Sequence, residues 1–501
     1  MPDPEPERTW RSALPSRADP SHALEVRAGE DEMPPPLRWL SPWRKPMSRI
    51  IALVLIVSFA PAQQKTPAWP GFRGPGSSGV AANAKPALEW SDTKNRVWRT
   101  RIPGVGSSSP IVLGDRVYVT CYSDYGMDAD DPGWVEDLRR HLVCIDCKTG
   151  KVIWDRAEKS VVNEDEYGGM VAEHGYASQT PITDGERICA FFGRTGVVAY
   201  DLAGKKLWQQ SVGDGKAKPG SEREGGGERR GGGGRGGFGG RGGFGGGGGH
   251  WGAGASPVLA GDLVIVNAAD ASNAVHALDK RTGKPVWKYE TSKIRGSGAS
   301  PAVVGSGDEL TVVMPLAGEV VGLNAKTGKV RWTAATGSRG TPNPTPVSDG
   351  NLVYSFGGMG GAGCAIRIGT ELGEGQERVA WKSKLSADVP SGVVDSGRLY
   401  LVDSRGMAAC IDTKTGEPVS RKRLDGRIRG GIYASPTLAA GRLYVVTRTA
   451  GTYVYSADGE FKLLAKNVFE DDKGEFNGSP AIVGDTMYLR SDNYLYCIRA
   501  K

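Results

Sequence analysis

A recurring Ser/Thr-Pro step constrains the fold of this chain more than any other feature. Each step introduces a short apolar segment, a glycine-containing turn and a second β-rich segment, and a looser copy begins at Pro390. The eight prolines are separated by 71, 76, 44, 45, 44, 46 and 44 residues. Because β-propeller blades repeat every about 40 to 50 residues, the spacing predicts eight blades with two insertions. The other steps are Ser109-Pro110, Thr180-Pro181, Ser256-Pro257, Ser300-Pro301, Thr345-Pro346, Ser435-Pro436 and Ser479-Pro480.

Each repeat also carries two turn signals. Pairs such as Gly114-Asp115 and Gly484-Asp485 suit tight hairpins, since Gly, Asp and Asn accept positive φ. The flanking residues alternate as in strands, for example over 116–119. A second hairpin has the pattern Asp-x-x-Thr-Gly, as at 279–283. The sequence therefore predicts an all-β protein whose blades are four-stranded antiparallel sheets.

The second hairpin carries a family resemblance. The segment 277–287 reads A-x-D-x-x-T-G-x-x-x-W and resembles the tryptophan-docking motif of the pyrroloquinoline-quinone-like (PQQ-like) propeller repeat. The resemblance implies that indoles dock against the neighbouring blade, which would bury a large flat ring. Blades six and seven depart from the motif, with Ser420 and Leu463 near the tryptophan position, so we expect weaker contacts there. The tryptophans at the docking position are Trp154, Trp208, Trp287, Trp332 and Trp381.

The eighth repeat ends at Lys501 before any outer strand, which would leave an exposed sheet edge. A segment upstream, around Trp98, has the character of the missing strand. Trp98 lies twelve residues before Pro110, close to the fourteen from Trp287 to Pro301. We therefore expect the N-terminal strand to close the ring, with the propeller spanning residues 88–501.

The N-terminal 87 residues divide into three predicted segments. Residues 1–46 are rich in proline and charge, and we interpret them as disordered or as an over-extended start of the reading frame, with Met47 the better start. Residues 47–62 have the basic, apolar and Ala-x-Ala regions of a signal peptide. Its apolar run is shorter than the roughly 20 residues that span a bilayer. Residues 63–87 form an extended segment. We expect an exported protein, periplasmic or secreted.

The segment 69–75, Trp-Pro-Gly-Phe-Arg-Gly-Pro, is similar to one found in large exported propellers of planctomycete-type bacteria. Such proteins are likened to the outer-membrane assembly propeller. The resemblance implies a non-catalytic binding or scaffolding module of the cell envelope, whose partner is an envelope protein or an extracellular polymer. No cofactor is expected.

Two enzymatic alternatives stay open. The first is a quinoprotein alcohol dehydrogenase, which would bind PQQ and calcium. Against it, the sequence has no adjacent pair of cysteines and no recognisable Glu, Asn and Asp set for calcium. The second is a carbohydrate-active enzyme, which needs two carboxylates facing one cleft. Hydrolase motifs such as G-x-S-x-G are absent from the sequence.

Residues 214–250 are dominated by glycine and contain two consecutive Arg-Gly-Gly-Phe-Gly-Gly units. Such repeats resemble RNA-binding boxes, because arginine meets phosphate and phenylalanine stacks on bases. The formal net charge of +7 is a mild basic excess. In an exported protein we interpret the segment as a flexible basic loop, and nucleic acid is not the expected partner.

A candidate ligand site lies six or seven residues before the blade-opening prolines. In a closed propeller these crossings recur around the axis and could form a funnel at one mouth of the central channel. Arginines with an indole suit a planar anion, since guanidinium binds carboxylates bidentately and indole stacks on flat rings. The alternative is that the arginines simply face water. The funnel candidates are His174, Trp251, Arg295, Arg339 and Arg429.

Metal and thiol chemistry have weaker signals. Cys144 and Cys147 form a C-x-x-C, but Cys144 shares its repeat position with Cys410 and Cys497, which favours buried core side chains. The acidic stretch 124–137 lacks the spacing of a calcium loop. Five scattered histidines offer no clustered ligands. No metal site and no catalytic residue is therefore predicted.

Overall fold

Eight antiparallel sheets follow one another along the chain, in the order that the repeats predict. The computed structural model describes residues 67–128, 130–160, 164–213, 253–338, 342–357, 363–369, 371–373, 376–425, 428 and 430–500, within a compact unit of residues 62–501. Six sheets consist of four consecutive strands each. The sheet of blade one has a fifth strand from the N-terminal segment beside its innermost strand, and the sheet of blade eight takes its outermost strand from that segment. The eight-bladed propeller is thus confirmed. The predicted segments 1–46 and 47–62 and the Gly/Arg-rich loop 214–250 lie outside the described residues.

The strands are numbered in chain order. Before blade one stand β1 (Pro67–Trp69) and β2 (Arg96–Arg101). Blades one to four comprise β3 (Ile111–Leu113), β4 (Arg116–Ser123), β5 (Arg139–Asp146), β6 (Val152–Lys159); β7 (Ile182–Thr183), β8 (Arg187–Phe191), β9 (Val197–Asp201), β10 (Lys206–Gln210); β11 (Val258–Ala260), β12 (Leu263–Ala268), β13 (Ala274–Asp279), β14 (Pro285–Glu290); β15 (Ala302–Val304), β16 (Thr311–Leu316), β17 (Glu319–Asn324) and β18 (Val330–Ala335).

Blades five to eight comprise β19 (Val347–Ser348), β20 (Leu352–Phe356), β21 (Gly363–Arg367), β22 (Val379–Ser383); β23 (Val393–Asp395), β24 (Arg398–Val402), β25 (Met407–Asp412), β26 (Pro418–Arg423); β27 (Thr437–Ala439), β28 (Arg442–Val446), β29 (Thr452–Ser456), β30 (Leu463–Asn467); β31 (Ala481–Val483), β32 (Thr486–Arg490) and β33 (Tyr494–Arg499). Two short helices are α1 (Gly169–His174) and α2 (Ala269–Ser272). Short 3-10 turns span Pro75–Ser77, Val135–Asp137, Gly193–Thr195, Ser292–Ile294 and Gly307–Glu309.

Burial along a blade explains its residue pattern. The second strand β16 is buried at every position, because neighbouring blades cover both faces, whereas the outer strand β18 alternates between exposed and buried positions. The hairpin between β13 and β14 follows its motif. The Asp279 carboxylate accepts hydrogen bonds from the Thr282 N–H and hydroxyl, and Gly283 takes a φ of 73°. This local chemistry fixes the turn that presents each outer strand.

The N-terminal strand closes the ring, as the sequence predicts. Strand β2 pairs antiparallel with β33, and Trp98 lies opposite Cys497. The Trp98 indole N–H donates to the Cys147 carbonyl in blade one, at 2.9 Å. Residues near both ends of the chain therefore latch blade eight to blade one.

Five of the six docking tryptophans donate their indole N–H to a carbonyl of the next blade's outer hairpin. In each of these five, a glycine of that hairpin lies so close to the indole that an added Cβ would clash. Trp332 differs: its Nε1 is buried without a partner in the described structure, and the Arg378 guanidinium lies 5.3 Å from its ring. The donor–acceptor pairs are Trp98–Cys147, Trp154–Leu202, Trp208–Lys280, Trp287–Ala325 and Trp381–Thr413.

Blades six and seven replace the indole in different ways. Ser420 occupies the tryptophan position opposite Cys410, and its hydroxyl donates to the Gly459 carbonyl. In blade seven the equivalent residue is Ala465, opposite Val454, so the prediction of Leu463 was wrong by two residues. The hairpin before β30 is one residue longer than in blade three, since nine residues separate Ser456 from Ala465 and eight separate Asp279 from Trp287. A tryptophan from the N-terminal segment, Trp90, stacks on Tyr444 of blade seven, with ring centroids 6.4 Å apart.

A ring of eight buried hydroxyls links all the blades where the innermost strands begin. Each hydroxyl accepts the backbone N–H of the corresponding residue in the preceding blade, so the ring closes on itself. The members in order are Ser109, Thr180, Ser256, Ser300, Thr345, Ser391, Ser435 and Ser479. This ring gives the Ser/Thr of each step a physical role, because a buried N–H without an acceptor destabilises the fold.

The ring corrects the start of blade six. Its member there is Ser391, and Gly392 occupies the place of the proline, whereas Pro390 lies before the ring. The predicted start at Pro390 was therefore two residues early. Pro390 fits the spacing of the repeats, but no serine or threonine stands directly before it.

A Ser435→Ala variant is expected to lower the free energy of unfolding by about 1 to 2 kcal/mol, since it leaves the buried Ser391 N–H without its acceptor. Urea-induced unfolding measures the change. The matched control is Ser306→Ala. Ser306 is exposed in the β15–β16 connection, and its side chain makes no capping hydrogen bond to the 3-10 turn that follows. An equal loss in the two variants would contradict the ring's role.

The N-terminal segment 67–87 crosses one end of the central channel. Strand β1 pairs with the innermost strand of blade one, and the Pro70 carbonyl accepts the Thr183 N–H of blade two. Further along, Ala81 and Lys85 donate to Leu438 of blade seven and Gly484 of blade eight, the blade next to blade one. Between these anchors, Arg73 donates to two carbonyls of blade six, so the segment spans this end of the channel.

Candidate functional site

Two insertions of blade one lie at the other end of the channel. The first joins β4 to β5 and the second joins β6 to β7. They share a small apolar core of Tyr122, Tyr125, Leu138, Val171 and Tyr176, in which the Tyr122 and Tyr176 rings meet edge to face at 5.3 Å. We call residues 124–138 and 164–176 the rim. Because the two insertions pack around this apolar core, the rim has a defined structure.

A small pocket lies beneath the rim, where blades one, two and three meet. Its lining is mostly charged or amide-bearing, which suits a polar ligand or a polar side chain of a partner. The residues that line it include Arg140, Glu164, Asp165, Gln179, Arg194 and Asp270.

Ion pairs fix the cavity wall. Arg140 donates to the Glu164 carboxylate at 2.9 Å and to the Thr195 hydroxyl at 3.1 Å, and both charged side chains are almost fully buried. A second pair joins Arg194 to Asp270 across blades two and three, at 3.3 Å. Buried ion pairs of this kind keep the side chains of the wall in place, because removing one partner would leave the other charge buried without compensation.

Helix α1, in the second insertion of the rim, contacts residues of blade seven and of the segment before it. Its Glu173 carboxylate accepts hydrogen bonds from Arg448, at 2.9 Å, and from the Tyr433 hydroxyl, at 3.3 Å. Arg448 also pairs with Glu475 and lies 4.4 Å from the centre of the Tyr433 ring. This latch joins residues 275 positions apart in the chain and narrows the mouth on one side.

Asp492, beside this latch, holds a proton more tightly than an ordinary aspartate. Burial raises its pKa from 3.8 to about 6, and the Glu475 charge adds to the rise, whereas the hydrogen bond from the Glu475 N–H and the charges of Arg490 and Arg448 oppose it. A raised folded-state pKa means that ionisation opposes folding. The stability contributed by the protonated form is therefore complete below about pH 4 and is lost as the pH rises through 6.

An Asp492→Asn variant is expected to be more stable than the unchanged protein at pH 7.5, by about 1 to 2 kcal/mol after allowance for partial exposure. The amide keeps an oxygen for the Glu475 N–H and removes the charge. The difference should shrink as the pH falls through 6 and vanish below about pH 4. Urea unfolding at pH 4, 5, 6 and 7.5 measures it, with Asp308→Asn on the exposed surface as the control. A gain independent of pH would contradict the assignment.

Ser123, His141 and Asp155 in blade one form a hydrogen-bonded series that sequence reasoning missed. The Ser123 hydroxyl lies 2.9 Å from His141 Nε2, and His141 Nδ1 lies 3.0 Å from the Asp155 carboxylate. The same hydroxyl lies 3.0 Å from Asp124, and its one hydrogen cannot serve both acceptors. A carboxylate at this distance also opposes the oxyanion of acyl transfer. We interpret the series as a network that fixes the long strands of blade one.

The structure describes two of the five funnel candidates. His174 ends α1 and its Nδ1 lies 3.1 Å from the Ser178 hydroxyl, beside the mouth. Arg295 is exposed after the 3-10 turn Ser292–Ile294. Trp251, Arg339 and Arg429 lie outside the described residues, so the anion funnel stays a prediction. Glu173 and Arg448 carried no sequence signal, because their pairing depends on a contact across the mouth.

Six of the seven cysteines are buried. Cys144 and Cys497 lie opposite Trp154 and Trp98, and burial raises the pKa of each thiol to about 12. A raised pKa disfavours the reactive thiolate, so they pack as small core side chains. Within the described ranges, no three His, Cys, Asp or Glu side chains group as metal ligands. Nor does any described helix have the length and hydropathy needed to cross a membrane.

Fold, repeat and docking tryptophans together define a PQQ-like eight-bladed β-propeller. The family profile described as outer membrane protein assembly factor BamB matches residues 71–225, 249–376 and 367–501. The chain belongs to this BamB family. It is 29% identical over 209 residues to the outer membrane protein assembly factor BamB of Kangiella koreensis, covering 40% of this chain. The match spans 49% of that relative, about half its length.

Solved structures share the fold. The crystal structure of BamB from Moraxella catarrhalis superposes with a TM-score of 0.53 at 14% identity, covering 81% of this chain and 99% of that one. The quinohemoprotein alcohol dehydrogenase from Comamonas testosteroni gives 0.53 at 10% identity, covering 87% and 81%. At such identities the likeness extends to the fold alone.

The cysteines at the docking position belong to different blades. The quinoprotein alternative, with PQQ and calcium, stays a prediction.

Proposed function

We propose that this protein is an exported, non-catalytic propeller that binds an envelope protein through the rim of blade one. The support is structural. The N-terminal segment crosses one end of the channel, while the other end carries insertions fixed by the Arg140–Glu164 pair and the Arg448–Glu173 latch. Loops held on a rigid scaffold are where propellers and other β-folds place their binding residues.

The ion pair between Arg448 and Glu173 is the main support for this proposal. A partner that docks on a rigid rim loses little conformational entropy, so a pre-organised surface favours binding. Membership of the BamB family is consistent with this proposal.

Site-specific photo-crosslinking in envelope extract tests it. A photoreactive residue at Asp165, on the rim, should give a defined adduct with one envelope protein. The same residue at Lys326, an exposed site on the outer hairpin of blade four, should give none. Adducts at both positions or at neither would contradict a rim-specific partner. Alcohol-dependent dye reduction after addition of PQQ and calcium would favour the quinoprotein alternative instead.

A further inference from the structure

Trp134 and Met127 stand out because both are large, apolar and exposed. Trp134 is 76% exposed and Met127 is 50% exposed. The other exposed large apolar residues lie on outer strands, as expected for a sheet with one solvated face, and comprise Val97, Val152, Ile153, Leu207, Val286, Val330, Val419, Leu463 and Leu464. Trp134 and Met127 lie instead on the first rim insertion, residues 124–138.

The loop that carries them is fixed at its base. The Gly126 N–H donates to the Pro132 carbonyl at 2.7 Å, which draws the two arms of the loop together. Tyr125 and Leu138, near its ends, are buried in the rim core, and the Tyr167 N–H donates to the Tyr125 hydroxyl. Because the base of the loop is fixed in this way, Trp134 and Met127 are exposed on its surface and are not buried in the rim core.

Carboxylates predominate around the two apolar side chains, and Arg139 pairs with one of them, Asp124, at the end of the loop. Residues 124–138 contain six carboxylates and no lysine or arginine, whereas the whole chain has a formal net charge of +7. Their negative field repels nucleic acid, anionic lipid and other polyanions. It attracts a basic polypeptide, and the exposed indole offers the aromatic anchor that is frequent among binding hot spots. The carboxylates are Asp124, Asp128, Asp130, Asp131, Glu136 and Asp137.

We propose that Trp134, Met127 and the surrounding carboxylates form a docking surface for a basic segment of a partner protein that carries apolar side chains. Trp134 and Met127 contact the apolar side chains of that segment, and the carboxylates pair with its lysines or arginines. The inference rests on the proposed function, since it names the chemistry of the partner that the rim binds. It also gives the acidic stretch a role other than calcium binding.

The test uses a fluorescent 12-residue peptide of alternating Arg and Leu, with Glu/Leu and Arg/Ser peptides as controls. Fluorescence anisotropy should show saturable binding of the Arg/Leu peptide alone, weakening as salt rises. Trp134→Ala should weaken it about 10-fold or more. Replacing Asp128, Asp130 and Asp131 with Asn should weaken it and reduce its salt dependence. Val286→Ala, at an exposed outer-strand position, is the matched control and should change nothing.

Three results would overturn the proposal: no binding to the unchanged protein, equal binding to the Trp134→Ala variant, or equal binding of the Glu/Leu peptide. A variant lacking residues 214–250 removes the chain's own arginine-rich segment, and the peptide should bind it at least as tightly. Circular dichroism of each variant checks folding. If the peptide fails while the Asp165 crosslink persists, this surface is wrong and the proposed function stands.

Discussion

A Trp98→Ala variant is expected to lose about 3 to 5 kcal/mol of unfolding free energy, the usual range for truncating a buried tryptophan. Trp98 is 8% exposed and packs on the Gly150 turn and on Tyr488. Its indole N–H also donates to blade one. The loss falls at the one junction where the ring is closed by strands far apart in sequence. Equilibrium unfolding in urea, followed by far-ultraviolet circular dichroism, measures it.

The same substitution at an exposed tryptophan is the control for Trp98. Trp134→Ala should leave the free energy of unfolding within about 0.5 kcal/mol of the unchanged protein. Trp98→Phe should recover part of the packing but not the hydrogen bond to Cys147, and so should fall between the two. Equal stability of Trp98→Ala and the unchanged protein would mean that β2 closes the ring through its backbone pairing alone.

The repeat made most of the fold predictable from sequence. Turn and strand chemistry recurs within each blade over short distances, so Asp279 to Gly283 could be interpreted without knowing the rest of the molecule. The closing strand at Trp98 was predictable because an unpaired sheet edge in blade eight needs a partner. Errors arose where a blade departs from the pattern. Pro390 fits the repeat spacing but has no serine or threonine before it, and an extra residue in the hairpin before β30 places Ala465, not Leu463, at the tryptophan position.

The candidate site was less predictable, since its residues meet only after the ring has closed. Glu173 and Arg448 are ordinary charged residues in sequence, and their pairing depends on α1 reaching across the mouth. The acidic loop was visible as composition, yet the exposure of Trp134 was not, because the same indole could have been buried in the rim core. The hydroxyl ring had a signal that sequence reasoning left unused: Ser or Thr stands before the proline in seven repeats.

Arg73 supplies the other large test of the architecture. It is 1% exposed, and its guanidinium donates to the carbonyls of Ser77 and Ser78 in its own segment and of Ser391 and Gly392 in blade six. Burial lowers its pKa to about 9, which still leaves it charged at neutral pH. Four carbonyl oxygens thus solvate one buried cation and tie the N-terminal segment to the far side of the channel.

An Arg73→Met variant is expected to be less stable by about 3 kcal/mol, because it fills much of the space but leaves the buried carbonyls of blade six without a donor. Release of the cation from its buried site offsets part of the loss, which keeps the effect below the sum of the four hydrogen bonds. Urea unfolding measures the change, and Arg295→Met, at an exposed arginine, should have little effect. Limited proteolysis should cleave the variant first within residues 67–87, since Arg73 anchors this segment. If the variant matches the unchanged protein in both measurements, the segment is held across the channel by its backbone pairing and not by Arg73.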